Sequence, residues 1–123
     1  MKKFLVFVLV LFMIGGLFAQ TRPEHRWLLG TWATRIDYGG GDYEEFIWTF
    51  NDNGTGRWQL NEVYRGQRYE ESFNFLFSLD GIELYMFIEE DGYIDYEVFQ
   101  VHRINDQRMI INDWGDVLDF RKR

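Results

Sequence analysis

The sequence predicts an all-β protein: a small up-and-down antiparallel β-barrel of about eight strands, preceded by a signal peptide. Three observations support this fold class. Apolar and polar residues alternate with period two over most of residues 30–123, which is typical of half-buried strands. Short clusters of Gly, Asp and Asn interrupt the alternation repeatedly. The connections between the alternating runs are too short for crossover helices, which excludes a parallel sheet.

Residues 1–19 have the three parts of a secretory signal peptide. Two lysines follow the first methionine, residues 4–14 form an unbroken apolar stretch, and small, flexible residues lead to Ala19. We therefore expect cleavage after Ala19, export to the periplasm or secretion from the cell, and no stable membrane insertion afterwards. The alternative is a permanent membrane anchor, but the apolar segment is shorter than the roughly 20 residues that cross a bilayer as a helix.

Charge and composition limit the class of partner. The chain has 20 acidic and 13 basic residues and a formal net charge of −7. Loss of the two lysines of the signal peptide makes it more acidic, and such a surface repels phosphates and anionic headgroups. Nucleic acid is therefore not an expected partner. The chain has no Cys, which excludes disulfides and thiol chemistry. Its 12 Phe, 7 Tyr and 5 Trp supply apolar surface for a core and exclude disorder.

The elements follow in order from the alternation and the turn signals. Residues 20–29 are a polar leader that contains Pro23, and residues 24–29 are expected to form one helical turn. The barrel domain covers residues 30–123. Its predicted strands are residues 31–37, 43–50, 56–64, 68–79, 82–90, 93–104, 108–114 and 117–121.

Turn chemistry separates the first four strands. Three consecutive glycines followed by Asp42 end the first strand, and the second places Phe46, Trp48 and Phe50 on one face. Residues 51–54, Asn-Asp-Asn-Gly, accept the positive φ of a tight hairpin. The third and fourth strands carry large apolar residues at alternate positions, and an Arg-Gly-Gln sequence turns one into the other.

A two-residue turn signal precedes each of the last four strands: Asp80-Gly81, Asp91-Gly92, Asn105-Asp106 and Gly115-Asp116. Within the sixth strand the alternation shifts. It passes from Ile94, Tyr96 and Val98 to Phe99 and Val101. A shift of this kind predicts a β-bulge at that point of the strand.

Closure into a barrel follows from the strand order. Eight short strands with short connections pair antiparallel with their sequence neighbours. A flat sheet would expose its apolar face and two edges, whereas closure buries the face and removes the edges. The alternative is a sandwich of two sheets.

Two sequence motifs resemble the lipocalins. Gly30-Thr31-Trp32, at the start of the first strand, is similar to the Gly-x-Trp motif that opens lipocalins. Residues 48–56 resemble the second hairpin of small bacterial lipocalin-like domains. The resemblance covers the chain from Trp27 to its end, although the chain is shorter than a typical ligand-carrying lipocalin.

The resemblance also implies structural roles at the closed end of the barrel. In lipocalins an Arg near the last strand packs over the Gly-x-Trp indole, where a guanidinium gains cation–π attraction. By position this Arg is Arg121, with Arg123 as the second choice. Gly30, Trp32 and Arg121 are therefore expected to be structural rather than ligand-binding residues.

Enzymatic activity is not expected, and neither is a cofactor or a metal. The two His residues, His25 and His102, have no patterned nucleophile or acid near them, and the chain has no phosphate-binding or metal-binding motif. Adjacent acidic residues, such as Glu70 and Glu71, face opposite sides of a strand. A carboxylate pair of that kind therefore cannot act as one catalytic site.

The lipocalin resemblance implies that the barrel binds a small apolar or amphipathic ligand. Glu62 and Glu71 share a face with Trp58 and Phe73 and would orient a polar group near an open end, because an unpaired buried charge costs several kcal/mol. The predicted ligand-binding residues are Phe46, Trp48, Trp58, Glu62, Glu71, Phe73, Phe75, Met86 and Tyr96.

A second function is consistent with the same sequence. Eight strands enclose a space that side chains can just fill or that can hold one small ligand. If the aromatic side chains fill it, the barrel would act as a protein-interaction or envelope accessory module, with an envelope protein as its partner. Clustered apolar residues on the outer face, such as Ile47 and Val63, would favour that function. An open interior of about 300 Å³ or more would favour the ligand.

Overall fold

The structure, a computed structural model, describes residues 23–123. The predicted signal peptide and the start of the leader lie outside that range. Eight strands follow a short 3₁₀ helix, and each predicted strand bound lies within two residues of the observed one. The strands are β1 (Gly30–Gly39), β2 (Asp42–Phe50), β3 (Thr55–Tyr64), β4 (Gln67–Asp80), β5 (Glu83–Glu90), β6 (Tyr93–Asn105), β7 (Arg108–Asp113) and β8 (Asp116–Lys122).

The strands form one closed antiparallel barrel. Each strand pairs with the next in sequence, and β8 returns to β1. The predicted up-and-down barrel is confirmed, and the two-sheet sandwich is excluded. No helix within residues 23–123 is long and apolar enough to cross a bilayer.

The 3₁₀ helix, Pro23–Leu28, covers one end of the barrel. The side chain of Leu28 is fully buried, and its carbonyl oxygen accepts a 2.8 Å hydrogen bond from the Trp32 indole nitrogen. The Trp27 ring meets the Trp32 ring edge-on at 6.0 Å. Gly30 has a φ of +116°, a value that favours glycine, and this residue turns the chain from the helix into β1. The Gly-x-Trp motif thus fixes the cover to the barrel.

The cation at this closed end is Lys122, which corrects the prediction for Arg121. Lys122 Nζ lies 5.1 Å from the centroid of the Trp32 ring and donates a 2.8 Å hydrogen bond to the Trp27 carbonyl oxygen. Arg121 is exposed and pairs with Asp119 on the outer face. Adjacent residues of a strand face opposite sides, so Arg121 and Lys122 lie on different faces of β8. An approximate position in the sequence could not show which of the two faces Trp32. Arg123 reaches Glu45 on the outside.

The core occupies the half of the barrel nearest the 3₁₀ helix. Its centre is Trp48, whose ring lies 4.5 Å from Phe120 and 5.2 Å from Phe99. Gly56 leaves room for Phe75, because a Cβ atom at Gly56 would lie 2.2 Å from the Phe75 ring. The fully buried large side chains are Trp32, Trp48, Phe50, Phe99, Phe120, Leu28, Leu84, Met86, Met109 and Ile111. We call this packed region the closed half.

The predicted bulge in the middle of β6 is wrong. β5 and β6 pair without interruption from Glu83↔Gln100 to Glu90↔Tyr93, and the irregularity in β6 lies between Arg103 and Asn105, opposite β7. Tyr96 and its apolar neighbours two residues away lie on the outer face. The inward positions of that part of β6 are acidic, which made the apolar alternation seem to slip.

β1 and β8 close the barrel over a short distance. They register at Trp32↔Lys122 and Ala33↔Arg121, and Arg123 N donates a 2.9 Å hydrogen bond to the Thr31 carbonyl oxygen. By comparison, β3 and β4 register over 10 residue pairs. Beyond Ala33 the two strands separate.

Candidate ligand-binding site

The end of the barrel opposite the 3₁₀ helix has a different inner surface. Here the hairpins at residues 39–42, 64–67, 90–93 and 113–116 surround an opening. Strand alternation brings residues of β2 to β7 to this inner surface, two positions apart along each strand. We call this region the open half. It contains partly buried aromatic residues below and acidic residues above.

Partly buried aromatic side chains form the floor of the open half. Phe46, Trp58 and Phe73 pack against the buried core without being covered by it. The Phe46 and Trp58 rings meet edge-on at 6.2 Å, and Trp58 lies 5.0 Å from the buried Trp48. Apolar ring surface therefore faces the lumen from three strands.

Trp48 carries an unsatisfied donor under this floor. Its side chain is 1 % exposed, and its Nε1 has no hydrogen-bond partner. A buried donor without a partner costs about 1–3 kcal/mol. Burial of the large ring against Phe50, Trp58, Phe99 and Phe120 offsets this cost.

Carboxylates surround the opening above the aromatic floor. Each occupies an inward position, because residues paired across neighbouring strands face the same side of the sheet. For example, the buried Phe77 pairs with the buried Met86, and Met86 pairs with Glu97. We call them the mouth carboxylates: Glu44, Glu62, Glu71, Glu90, Asp95, Glu97 and Asp113.

The mouth carboxylates lie close enough to perturb one another. Glu44 and Glu62 are directly opposite on β2 and β3, and burial together with the Glu62 charge raises the pKa of Glu44. Burial and the charges of Asp113 and Asp95 raise the pKa of Glu97. Like charges near each other disfavour ionisation, so this end of the barrel holds excess negative charge.

Two further carboxyl groups follow the same pattern. Burial and the charge of Asp116 raise the pKa of Asp113. Burial, a hydrogen bond with Asp95 and the charges around it raise the pKa of Glu90. The repulsion is therefore spread around the opening from β2 to β8.

Basic side chains do not balance this charge from within. Among residues 23–123, strand alternation points the side chains of Arg103 and Lys122 inward, and both belong to the closed end, beside Trp27 and Trp32. Arg35 and Arg68 occupy outward positions on β1 and β4. The open half is thus a partly apolar, strongly acidic site.

The structure brings most of the predicted site residues together. Phe46, Trp58 and Phe73 line the open half, with Glu62 and Glu71 at its mouth. Trp48, Phe75 and Met86 also face inward, but they are buried in the core of the closed half. They therefore lie below the aromatic floor and do not line the open half. The predicted interior is therefore divided: one half is filled, and in the other half the inward site residues are only partly buried.

Tyr96 is the exception, and its predicted place in the lumen is corrected. It is 56 % exposed and lies on the outer face of β6, where its ring stacks on Tyr85 at 6.3 Å and lies 5.0 Å from Phe87. The assumed bulge had assigned it to the wrong face.

Five of the mouth carboxylates were not predicted. Residues two positions apart on a strand share a face. Stepping back two residues at a time from the buried Phe99 would have identified Glu97 and Asp95, and stepping back two from Phe46 would have identified Glu44. Within residues 23–123 no group of three His, Cys, Asp or Glu side chains has an arrangement that could hold a metal ion.

Comparisons with known proteins agree with the fold. No protein-family model matches this chain, and no curated protein does. A lipocalin-like protein from Bacteroides uniformis has a similar structure, with a TM-score of 0.56 and 18% identity over 79% of this chain and 99% of that one. An uncharacterized protein from Bacteroides eggerthii has a TM-score of 0.54 and 16% identity over 77% and 98%. The fold of this chain is the lipocalin-like barrel that its Gly-x-Trp motif indicated.

Proposed function

We propose that this lipocalin-like barrel binds a small amphipathic molecule in its open half and catalyses no reaction. The apolar part of the ligand lies on Phe46, Trp58 and Phe73, and a cationic group lies among the mouth carboxylates. One observation carries the proposal: the open half combines uncovered aromatic rings with carboxylates that no inward basic residue neutralises.

The aromatic floor supports an apolar contact. Removing apolar surface from water is worth about 25 cal/mol per Å², and the three partly buried rings still expose some of that surface. Aromatic faces also attract cations, most strongly when water is excluded. Because the closed half is filled, the ligand is small.

The carboxylates support a positive charge on the ligand. Two unit charges 4 Å apart interact by about 4 kcal/mol near a protein surface, and several carboxylates would act on one bound cation. Burial and, after it, repulsion from neighbouring carboxylates raise the pKa values of Glu44 and Glu97, and a bound cation would relieve the repulsion. An anionic amphiphile such as a fatty acid would increase it.

A pair of matched probes tests the sign of the ligand charge. Decylamine and decanoate have the same alkyl chain and opposite charges, and each is titrated below its micelle concentration while Trp fluorescence is recorded. We expect decylamine to change the fluorescence saturably and decanoate to have a much weaker effect. Equal binding of the two probes, or no binding of either, would contradict the proposal.

Neighbouring glutamates on opposite faces provide the matched variants. Glu71→Gln removes an inward charge, and Glu70→Gln removes the adjacent outward one. Decylamine affinity should fall by several-fold in Glu71→Gln, as expected for one partly screened charge contact, and should be unchanged in Glu70→Gln. An equal loss in both would mean that only the net charge matters.

A second function, contact with another protein, is favoured by the outer face of β5 and β6. The exposed Tyr96 forms a ring cluster there with the partly exposed Tyr85 and Phe87, whereas no ring contact joins Ile47 and Val63, the partly exposed outward residues singled out in the sequence. Exposed apolar clusters are frequent at interaction sites. A Tyr96→Ser variant that lost an envelope partner in a cross-linking experiment, while keeping decylamine binding, would support this function.

We also propose that the protein is exported. The proposal rests on the charged, apolar and small-residue segments of residues 1–19. N-terminal sequencing of the protein from fractionated cells should find Gln20 as the first residue, outside the cytoplasm. A retained Met1 in the cytoplasmic fraction would contradict it.

A further inference from the structure

The gap between β1 and β8 contains a cleft that the proposed ligand site does not use. Its volume is ≈ 530 Å³. It begins where the register of the two strands ends, beyond Ala33↔Arg121. Its lining residues are Ala33, Thr34, Arg35, Ile36, Asp37, Val117, Leu118, Asp119 and Arg121.

The backbone groups that face this cleft can be identified from the hydrogen bonds below it. In a strand, the N–H and C=O of one residue point to the same neighbour, and those of the next residue point the other way. The carbonyl oxygen of Thr31 points toward β8, where it accepts a hydrogen bond from Arg123 N. The backbone N–H and C=O groups of Arg35 and Asp37 therefore also point toward β8. On β8, Lys122 N bonds to Gln107 toward β7.

The same alternation therefore directs the backbone of Val117 and Asp119 toward β1. These two residues and Arg35 and Asp37 all line the cleft, and the register of β1 with β8 does not include them. Both strands thus present edge hydrogen-bonding groups to one opening. Unpaired strand edges of this kind are templates for pairing with another chain.

We propose that an extended segment of another protein docks in this cleft and adds a strand to the free edge of β1. Strand addition is a recurring mode of peptide recognition, in which backbone hydrogen bonds supply affinity and alternate side chains supply specificity. Arg35 and Asp37 provide the backbone donors and acceptors. The cleft site is independent of the proposed small-molecule site.

The lining of the cleft defines the side chains of the peptide. On the inner side it meets Ile36 and Leu118, so the inward side chains of the peptide are apolar. On the outer side the cleft carries both signs of charge, with Arg35 paired to Asp37 at 3.0 Å and Arg121 near Asp119 at 3.4 Å. The outward side chains of the peptide are therefore polar, and the sequence alternates between the two types.

A flexible peptide fits the cleft better than a second barrel does. β8 stays paired with β1 at Ala33↔Arg121, and its residues Val117, Leu118 and Asp119 line the other side of the cleft. A second copy would have to bring its own β1 edge, flanked by its own β8, into the same opening. An isolated strand can enter without that obstruction.

Amide hydrogen exchange in the free protein tests the open edge. The amides of Arg35 and Asp37 should exchange much faster than those of Thr34 and Ile36, which alternate with them on the same strand and face β2. Exchange of all four at the same slow rate would show that the cleft is closed, and would overturn the proposal.

Peptide binding tests the occupant. The probe is a fluorescein-labelled hexapeptide with the sequence Thr-Val-Lys-Val-Thr-Val, and its control has the same sequence with N-methyl groups on alternate amides, which removes backbone donors without changing the side chains. The proposal predicts that the probe binds, that methylation on the pairing edge weakens it by about tenfold or more, the effect of roughly one lost hydrogen bond, and that the Arg35 and Asp37 amides become protected.

Two variants at one position separate the backbone from the side chain. Arg35→Pro removes the N–H that faces the cleft, whereas Arg35→Ala keeps it. Affinity for the hexapeptide should fall by about tenfold in Arg35→Pro and change little in Arg35→Ala. If Arg35→Pro does not fold, the methylated control still decides the question.

The contradicting outcomes are distinct. Equal binding of the methylated and unmodified peptides would overturn the proposal. So would a peptide that protects only the backbone amides of the residues that carry the mouth carboxylates. So would a dimer in sedimentation velocity whose formation protects the Arg35 and Asp37 amides, because the occupant would then be a second copy. Loss of decylamine binding alone would affect only the proposed small-molecule function.

Discussion

Opposed carboxyl groups are the feature that dominates at the scale of single residues. The mouth carboxylates face one another across the lumen, and the pKa values of Glu44, Glu90, Glu97 and Asp113 are raised by burial and by their acidic neighbours. Such residues reduce stability when ionised. Their retention in a small barrel is consistent with a role in binding rather than in folding.

The free energy of unfolding should therefore rise as the pH falls from about 7 to about 5. Because the native pKa values of these four groups are raised, the native state binds more protons than the unfolded chain between the ordinary and raised values. The opposite effect begins lower, since Arg108 lowers the pKa of Asp119 and its stabilising ion pair is lost at more acidic pH. Urea titrations at several pH values measure both effects.

Glu44→Gln is the matched variant for this pH dependence. It should stabilise the protein at pH 7 and flatten the rise toward pH 5, because the opposed charge on Glu62 is then relieved. Glu70→Gln, on the outer face, should leave the slope unchanged. A stability that falls steadily between pH 7 and pH 5 would contradict the interpretation.

Gly56 has no space for a side chain. A Cβ atom there would lie 2.2 Å from the Phe75 ring and 2.5 Å from the Thr49 carbonyl oxygen. Gly56→Ala should destabilise the barrel by about 1–3 kcal/mol or more, the usual cost of overpacking. Gly40→Ala, in an open turn with a φ of +64°, should cost about 1–2 kcal/mol from backbone strain alone. Thermal unfolding of both variants measures the two costs, and a loss below about 1 kcal/mol in Gly56→Ala would contradict the steric argument.

At the scale of elements, the 3₁₀ helix and the end of β8 hold each other in place. Lys122 joins them through the Trp27 carbonyl oxygen and the Trp32 ring. The helix thereby covers an end of the barrel that would otherwise expose Trp32. The outward Arg121 makes no such connection.

Lys122→Ala should destabilise the protein by about 1–3 kcal/mol, because it removes a charged hydrogen bond and a cation–π contact. Arg121→Ala should change stability by less than about 0.5 kcal/mol, as surface substitutions usually do. Chemical denaturation of the two neighbours provides the comparison. If Arg121→Ala were the more damaging variant, the assignment of the closed-end cation would be wrong.

The elements also show how far the sequence predicts this structure. All eight strands were predictable because glycine-containing turns, or Asn-Asp between β6 and β7, mark their ends. The faces of β1 to β5 were predictable because inward apolar residues alternate cleanly. β6 was not, since its inward Asp95 and Glu97 reach the open mouth while Ile94 and Tyr96 are outside. A rule that expects apolar residues inside fails where the inside is wet.

The site was predictable only in part for the same reason. Phe46, Trp58 and Phe73 share a face with Glu62 and Glu71, and local alternation shows this directly. The other mouth carboxylates come from β2, β5, β6 and β7, and their meeting depends on barrel closure and stagger. The cleft beside β1 depends on where β8 stops pairing, which leaves no local signal in the sequence.

At the scale of the whole molecule, negative charge sets the response to salt. The net charge is −7, and the mouth concentrates part of it at one end. The melting temperature should rise between about 0.01 and 0.15 M NaCl, as the Debye length falls from about 30 to about 8 Å. The Glu62→Gln, Glu71→Gln double variant should show a smaller rise. A melting temperature that falls with salt would show that attractive ion pairs dominate instead.

The hydrogen bond between Arg123 and Thr31 has a consequence for the order of the chain. It holds Arg123 beside the start of β1, so a short linker from Arg123 to Pro23 would keep the 3₁₀ helix in place, and the gene could be reopened at the Asp80-Gly81 hairpin. Such a circular permutant would make the β8-to-β1 connection covalent, so two strands that now lie at opposite ends of the domain sequence would pair across a short connection. Refolding of this permutant would then be limited by a different pair of strands.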